Sequence, residues 1–197
     1  TTEPISNSKM IHAVDITFKL NNCYFQGNFN LPVNRGIGIH LDDAQFSEGF
    51  NKSSQVYNAE FNSLETGVLV ENNASDQLKL NNMLYTLNRT GIQIENSKNV
   101  IASNNTLELM SGTYSNKVSG ITQKGQSSVS ILDNTFESTG NVFTTAIIID
   151  SQTEKNNMIT KNSFTGDMGN AVAFVGANEV EQFACNDFDL TSGSDVS

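Results

Sequence analysis

Two short patterns of apolar and polar positions alternate along the chain. In the first pattern, a glycine or alanine is followed by apolar residues, mostly β-branched, at about every second place. Alternation with a period of two is typical of a strand that buries one face, and a helix would need a period near 3.6. The copies are Gly36-Ile37-Gly38-Ile39, Gly67-Val68-Leu69-Val70, Gly91-Ile92-Gln93-Ile94, Gly120-Ile121, Ala146-Ile147-Ile148-Ile149 and Ala171-Val172-Ala173-Phe174.

The second pattern is a strand that closes on Asn, one further residue and a large apolar residue. A weaker copy over 56–61 has its Asn one place early. The Asn residues of the six full copies are Asn22, Asn82, Asn105, Asn134, Asn162 and Asn186.

The spacing of these copies predicts parallel coils. The closing apolar residues (24, 61, 84, 107, 136, 164 and 188) are separated by 23 to 37 residues. A stretch of about 16 residues recurs in most repeats and is expected to hold two short strands and a turn, while the remainder varies in length. Hairpin turns of the Asn-Gly or Asp-Gly type are absent between the strands. The sequence therefore predicts a solenoid, in which each coil stacks on the previous one at roughly 4.8 Å.

A solenoid of this kind gives a physical reason for the recurring Asn. The six Asn residues are predicted to lie one above another at a corner. Asn tolerates the left-handed backbone of a sharp turn, and its amide can bond the amide of the next coil.

The strand, Asn corner, large apolar residue, variable loop and Gly strand resemble the coil of the right-handed parallel β-helix superfamily. That superfamily includes pectate lyases, polygalacturonases, phage tailspikes and many surface proteins. The resemblance covers about Ile5 to Phe188 and implies an all-β, right-handed parallel β-helix of about seven coils. A weaker likeness, over 183–188, is similar to the last coil of β-helix surface proteins that gliding bacteria export by the type 9 secretion pathway.

Composition narrows the classes of function. The 197-residue chain is 37% hydrophobic and 16% charged, has 27 Asn and carries a net charge of −10. This balance disfavours a helix bundle, and the acidity disfavours nucleic acid or an anionic membrane as a partner. No apolar run is long enough to cross a bilayer, so no membrane insertion is expected. We expect one β-helix domain or segment over 1–197, with linker ends at 1–8 and 192–197, from a larger secreted or bacterial cell-surface protein.

The two cysteines are predicted to stay apart. About six coil steps separate Cys23 from Cys185, or roughly 29 Å, which is too far for a disulfide. Each is expected to be a small buried or corner residue, and a Cys/His zinc cluster is excluded because the chain has only two of each residue.

A candidate catalytic cluster comprises Arg35, His40, Asp42 and Asp43. Enzymes of the resembled superfamily use clustered carboxylates on polysaccharides, and the adjacent aspartates are similar to the Asp-Asp pair of polygalacturonases. The Asn-x-Asp, His-Gly and Arg-x-Lys elements of that family have no counterparts here. Adjacent strand residues also point in opposite directions, so these two carboxylates need not converge.

A charged column is predicted from the register. Glu71, Glu95, Lys124 and Asp150 each follow a glycine or alanine of the first pattern by four places. Like charges on adjacent strands repel each other, so Glu71 beside Glu95 needs exposure, a Lys or a cation. Two interpretations stay open. The column is either exposed and partly neutralised by Lys124, or a calcium site with oxygen ligands from Glu71, Glu95, Asn72 and Asn96.

The variable loops are the expected place for recognition. The longer loops, at 26–35, 108–119 and 137–145, carry Phe29, Tyr114 and Phe143, which could stack on sugar rings of a glycan. The insertion over 43–55 could instead dock a neighbouring domain of the parent protein.

These observations lead to two functional expectations. The first is a non-enzymatic module without a required cofactor: a stalk, or an adhesin-like module that binds a ligand or carbohydrate. The alternative is a fragment of a polysaccharide lyase or glycoside hydrolase that acts through Asp42 and Asp43. Ice binding is disfavoured because Thr106 and Thr135 form a single pair of rungs.

Overall fold

The computed structural model describes residues 8–28, 35–46, 58–74, 77–110, 117–151, 157–176 and 180–197, without the side chains of 45, 46, 140–143, 151, 180 and 181. Every regular element in these ranges is a β-strand, and none of them contains a helix that could span a bilayer. The strands are β1 Lys9–Val14, β2 Thr17–Phe18, β3 Cys23–Gln26, β4 Ile37–Asp42, β5 Gln45–Phe46, β6 Ala59–Asn62, β7 Thr66–Glu71, β8 Leu78–Asn81, β9 Met83–Thr86, β10 Thr90–Glu95, β11 Val100–Ser103, β12 Thr106–Leu109, β13 Val118–Gly125, β14 Val129–Leu132, β15 Thr135–Ser151, β16 Asn157–Thr160, β17 Ser163–Phe174, β18 Val180–Ala184 and β19 Asp187–Val196.

The strands form a parallel β-solenoid of about six turns, which confirms the predicted fold class with roughly one coil fewer than expected. Face I contains β1, β4, β7, β10 and β13. Face II contains β8, β11, β14, β16 and β18, and the short pair β2 and β5 precedes it in the chain. Face III contains β3, β6, β9 and β12. The long strands β15, β17 and β19 begin on face III and bend onto face I.

Each turn contains three strands, so the prediction of two strands in the recurring stretch is wrong. The stretch from β7 to β9 shows why, because the link between β8 and β9 is the single residue Asn82. Asn82, in the left-handed conformation, turns the chain there without a loop. Two strands that lie on different faces therefore resemble one continuous strand in the sequence.

Apolar residues of equal register stack inside the solenoid. On face I the buried column includes Ile39, Val68, Ile92 and Ile121, which are all fully buried. On face III, aromatic rings stack in parallel at 4.9–5.0 Å. These rings belong to Phe25, Phe61 and Tyr85 at one end and to Phe136, Phe164 and Phe188 at the other.

Two of the predicted anchor residues are displaced by one position. Phe25 and Tyr85 occupy the aromatic column, whereas the sequence pattern indicated Tyr24 and Leu84. Tyr24 is 56% exposed and points outward. Because neighbouring side chains on a strand alternate between its faces, a displacement of one residue reverses the assignment.

At the corner between faces II and III, two consecutive residues share the two roles that were predicted for a single Asn: turning the chain and bonding to the next turn. The first residue has the left-handed backbone: Asn22, Asn82, Asn104, Asp133, Lys161 and Cys185 have φ between 52° and 58°. The second residue supplies the bonds between turns. Asn22 and Asn82 are therefore corner residues rather than ladder members, and the ladder consists of Asn105, Asn134, Asn162 and Asn186.

The structure also bears on the predictions for the two cysteines and for the ends of the chain. Both cysteines are free, as predicted, with Cys23 partly buried and Cys185 exposed at its corner. Residues 192–196, which were expected to form a linker, lie in β19 and pair with β17. Residues 1–7 lie outside the described ranges.

Candidate functional site

A column of charged residues lies at or next to the last position of the strands on face I. Glu71, Glu95, Lys124 and Asp150 occupy the same register in successive turns, as predicted, and the structure adds Asp42 at the start of the column. Strand-to-strand spacing near 4.8 Å brings these side chains within reach of one another. We call these five residues the charged column.

Two carboxylates of the charged column, Asp42 and Glu95, contact amide or ammonium groups. Asn72 donates from Nδ2 to Asp42 Oδ1 at 2.9 Å. Glu95 Oε1 accepts from Gln93 Nε2 at 2.5 Å and lies 3.4 Å from Lys124 Nζ. Amide donors and one ammonium group thus offset repulsion between carboxylates on adjacent strands.

His40 is the buried member of this region. Its side chain donates from Nε2 to Glu71 Oε2 at 2.5 Å and stacks on His12 with ring centroids 4.6 Å apart. Its Nδ1 is buried and has no hydrogen-bond partner. Desolvation lowers the pKa of His40, nearby Lys9 lowers it further, and the bond to Glu71 opposes both effects. Protonation would place an unpaired N–H at Nδ1, which agrees with a neutral ring.

Stability is expected to fall as the pH drops below about 6.5, the ordinary pKa of histidine. Because the folded-state pKa is lowered, the unfolded chain takes up the proton first, and the stabilisation is lost as the pH falls through the folded pKa. Urea unfolding at several pH values would measure this. His40→Gln should reduce the slope of the free energy of unfolding against pH below pH 6.5. His12→Gln, at an exposed position, should leave most of that slope unchanged. An equal slope in the wild type and His40→Gln would contradict the assignment.

Asp42 and Asp43 have different structural roles. Asp42 lies in the charged column, while Asp43 has φ of 50° and donates its backbone N–H to Glu71 O at 3.1 Å. Asn72 and Asn96, with φ of 59° and 48°, make the same turn in later coils. Asp43 is therefore explained as a corner residue, since Asp and Asn tolerate this conformation.

Arg35 lies away from the two aspartates. It precedes β4, whereas Asp42 ends that strand, so their backbones are roughly 20 Å apart along an extended chain. The Arg35 side chain is buried and its Nη1 donates to Leu87 O at 3.5 Å. Burial lowers the pKa of Arg35, and Glu65 opposes that effect. The structure brings His40 and Asp42 to one face but leaves Arg35 at the opposite end of β4.

A second ionic group, not predicted from the sequence, lies beside Arg35. Arg89 Nη1 is paired with Glu65 Oε1, so the two arginines of the chain flank one carboxylate. Glu65 and Arg89 each precede a face I strand by one residue. The same register that predicted the charged column could have identified this pair, because it also repeats once per turn.

The proposed calcium ligands have other contacts. Asn72 uses its amide on Asp42, and Asn96 Oδ1 accepts the backbone N–H of Gln126 at 3.4 Å. Glu71 and Glu95 are paired with His40 and Lys124. Among the described residues, no group of three or more His, Cys, Asp or Glu side chains is placed to hold a metal ion. These contacts favour the interpretation of a neutralised column.

Addition of calcium is therefore expected to leave the melting temperature unchanged. An ion bound at a hundred times its Kd would stabilise the folded chain by about 2.7 kcal/mol, which a melting curve detects easily. Thermal unfolding in millimolar calcium and in excess EGTA would be compared. Glu71→Gln with Glu95→Gln is the control, because a shift present in the wild type and lost in this variant would establish the calcium site.

The predicted glycan-binding aromatics are not placed by the structure. Phe29 and Tyr114 lie outside the described residues, and so does most of the 43–55 insertion. The backbone of Phe143 belongs to β15, but its side chain is outside the described set.

Comparisons with known proteins found no similar protein. No protein-family model matches the chain, no curated protein matches it, and no solved structure matches it. The structure itself is consistent with the β-helix resemblance at the level of the parallel solenoid architecture.

Proposed function

We propose that this chain is a rigid, non-enzymatic β-helix module of a secreted or cell-surface protein. One observation carries the proposal: Arg35, Asp42 and Asp43 make their hydrogen bonds at three different places. Arg35 binds a carbonyl beyond one end of β4, Asp42 binds Asn72 at the other end, and Asp43 forms a corner. Acid/base catalysis would need these groups around one reacting atom.

The inside of the solenoid supports a mechanical role. The Asn ladder joins each turn to the next without a break from Met83 to Asn186, and aromatic rings stack in the turns at the two ends. About six turns at roughly 4.8 Å make a rod near 29 Å long. Such a module could hold neighbouring domains at a constant distance.

The extracellular location rests on the sequence resemblance. Coils of this pattern are similar to those of pectate lyases and of surface proteins exported by the type 9 pathway. Glycan binding by Phe29, Tyr114 and Phe143 is the accompanying proposal for the loops, and binding to a glycan array would test it.

No release of sugar product is expected from a panel of acidic and neutral polysaccharides. Reducing-end and unsaturated-product assays would be run on the native chain, with Asp42→Asn/Asp43→Asn as the matched variant. Activity in the native chain that disappears in the double variant would overturn the proposal and favour the lyase or hydrolase alternative.

Single-molecule pulling tests the mechanical part of the proposal, since a stalk should resist extension as one cooperative unit.

A further inference from the structure

Four triplets of the chain match the acceptor sequence for N-linked glycosylation, which is Asn, any residue except Pro, and Ser or Thr. They begin at Asn51, Asn73, Asn88 and Asn104. An Asn-rich chain produces such triplets by composition alone, so the sequence does not distinguish among them. The structure describes the last three of these Asn side chains, and Asn51 lies outside the described residues.

Asn88 and Asn73 are buried and use their side-chain amides inside the solenoid. Asn88 is 3% exposed; its Nδ2 donates to Phe61 O at 2.8 Å and its Oδ1 accepts the backbone N–H of Leu64 at 2.9 Å. Asn73 is 1% exposed, and its Nδ2 donates to Lys98 O at 2.7 Å. Because protein interiors are close-packed, a sugar on either Nδ2 would have to displace the adjacent turn. These two triplets are therefore incompatible with a glycan in the folded chain.

Asn104 differs from both because it is exposed at the corner between faces II and III. It has the left-handed φ of 53° that turns the chain, whereas the following residue, Asn105, is buried in the ladder. Asn104 Nδ2 donates to Asn81 Oδ1 at 3.0 Å, and this bond is itself exposed. A side-chain amide nitrogen has two protons, so a glycan on Nδ2 leaves one N–H for the bond to Asn81.

The corner position of Asn104 is also exposed in the next two turns. Asp133 and Lys161 occupy that position, with φ of 52° and 58°. These residues form an outer ridge of the solenoid. A glycan on Asn104 would extend from this ridge into solvent rather than between two turns.

We propose that Asn104 is an N-glycosylation site of this chain and that Asn73 and Asn88 stay unmodified in the folded protein. The donor is an oligosaccharide on a lipid pyrophosphate. Asn104 Nδ2 bonds to the anomeric carbon of the first sugar, the bond from that carbon to the pyrophosphate oxygen breaks, and the lipid pyrophosphate leaves. The proton that Nδ2 loses passes to a base of the transferase.

Site occupancy in the secreted full chain tests the proposal. An added signal peptide would direct the chain into a eukaryotic secretory host, so the result does not depend on the native location or on the mechanical role proposed above. All variants would carry Asn51→Gln, which restricts the assignment to the described triplets. Peptide mapping after peptide N-glycosidase treatment in heavy-oxygen water marks each Asn that carried a glycan, and circular dichroism checks that the secreted chain is folded.

Two variants remove the acceptor with little change to the corner. Asn104→Asp removes the amide nitrogen, and Asp also tolerates the left-handed conformation. Thr106→Val keeps Asn104 and removes the hydroxyl that the triplet requires, with a side chain of similar shape. Each variant should lose the glycan completely.

The next turn allows a matched gain of the same site. It has Asp133-Asn134-Thr135 in register with Asn104-Asn105-Thr106, so Asp133→Asn alone creates an acceptor triplet at an equivalent exposed corner. The double variant Asn104→Asp/Asp133→Asn should therefore move the glycan by one turn.

The parent chain should carry one glycan, at Asn104, and the double variant should carry one glycan, at position 133. An unmodified Asn104 in the folded, secreted chain would overturn the proposal. A glycan on Asn73 or Asn88 in that fraction, or a position 133 that stays unmodified in the double variant, would overturn it as well, because exposure at the corner would then not decide which triplet is used.

Discussion

Asn134→Ala is expected to lower the free energy of unfolding by about 4 kcal/mol, because it interrupts the ladder within its buried part, between Asn105 and Asn162. Asn134 Oδ1 accepts the backbone N–H and the Nδ2 of Asn105, both at 3.0 Å. Its own Nδ2 donates to Ala102 O at 2.9 Å and to Asn162 Oδ1 at 3.0 Å. Asn105 and Asn134 are 1% and 2% exposed, so water cannot replace the lost partners without opening the corner.

The size of this effect follows from the groups left without partners. A buried donor or acceptor that loses its hydrogen bond costs about 1–3 kcal/mol, and this substitution affects a backbone N–H and a carbonyl together. Urea unfolding followed by circular dichroism would measure the loss.

The matched control for this prediction is Asn186→Ala. Asn186 has the same ladder role but is partly exposed at the last turn, so its loss should cost about 1 kcal/mol. Equal losses at 134 and 186 would mean that burial of the ladder does not set its strength, against the prediction.

Gly67→Ala is expected to cost about 3 kcal/mol, although alanine is only one methyl group larger. A Cβ at this position would lie 2.6 Å from Gly91 O and 2.8 Å from Tyr85 Cδ1. Gly91 O belongs to the next turn, and Tyr85 stacks on Phe61 inside the core. Neither neighbour can move without disturbing the spacing between turns.

Ala146→Gly in the same column is the control. This position, in register with Gly120 and Ala171, already holds a methyl group, so the reverse change should cost about 1 kcal/mol from added backbone freedom. Thermal and urea unfolding of both variants would be compared. A loss at Gly67→Ala no larger than that at Ala146→Gly would contradict a steric limit set by the Tyr85 ring and the adjacent turn.

Much of the candidate site was readable from repeat spacing. Glu71, Glu95 and Lys124 were placed in one column because each follows its glycine by the same number of residues, and strand pairing in a solenoid preserves that number. The contact of His40 with Glu71 was not readable. It joins positions 40 and 71 on adjacent strands diagonally, and only the orientation of the side chains makes it.

The roles of the Asn residues at the corners could not be assigned from the sequence pattern. Asn81-Asn82 and Asn104-Asn105 both place two Asn residues at a corner, and spacing alone does not say which one turns the chain. In the structure Asn82 and Asn104 turn it, while Asn105 extends the ladder and Met83 occupies the ladder position of its own turn.

The sequence alone predicts that the chain winds into parallel coils, because the alternation of apolar residues and the recurrence of a stretch of about 16 residues are local properties that can be recognised along one dimension. It also determined that the two cysteines lie apart, since chain distance counts turns. The three-dimensional structure was needed to show which Asn forms the ladder and that Arg35 lies far from Asp42. Those outcomes depend on backbone angles at single corners and on contacts between turns, which residue spacing does not encode.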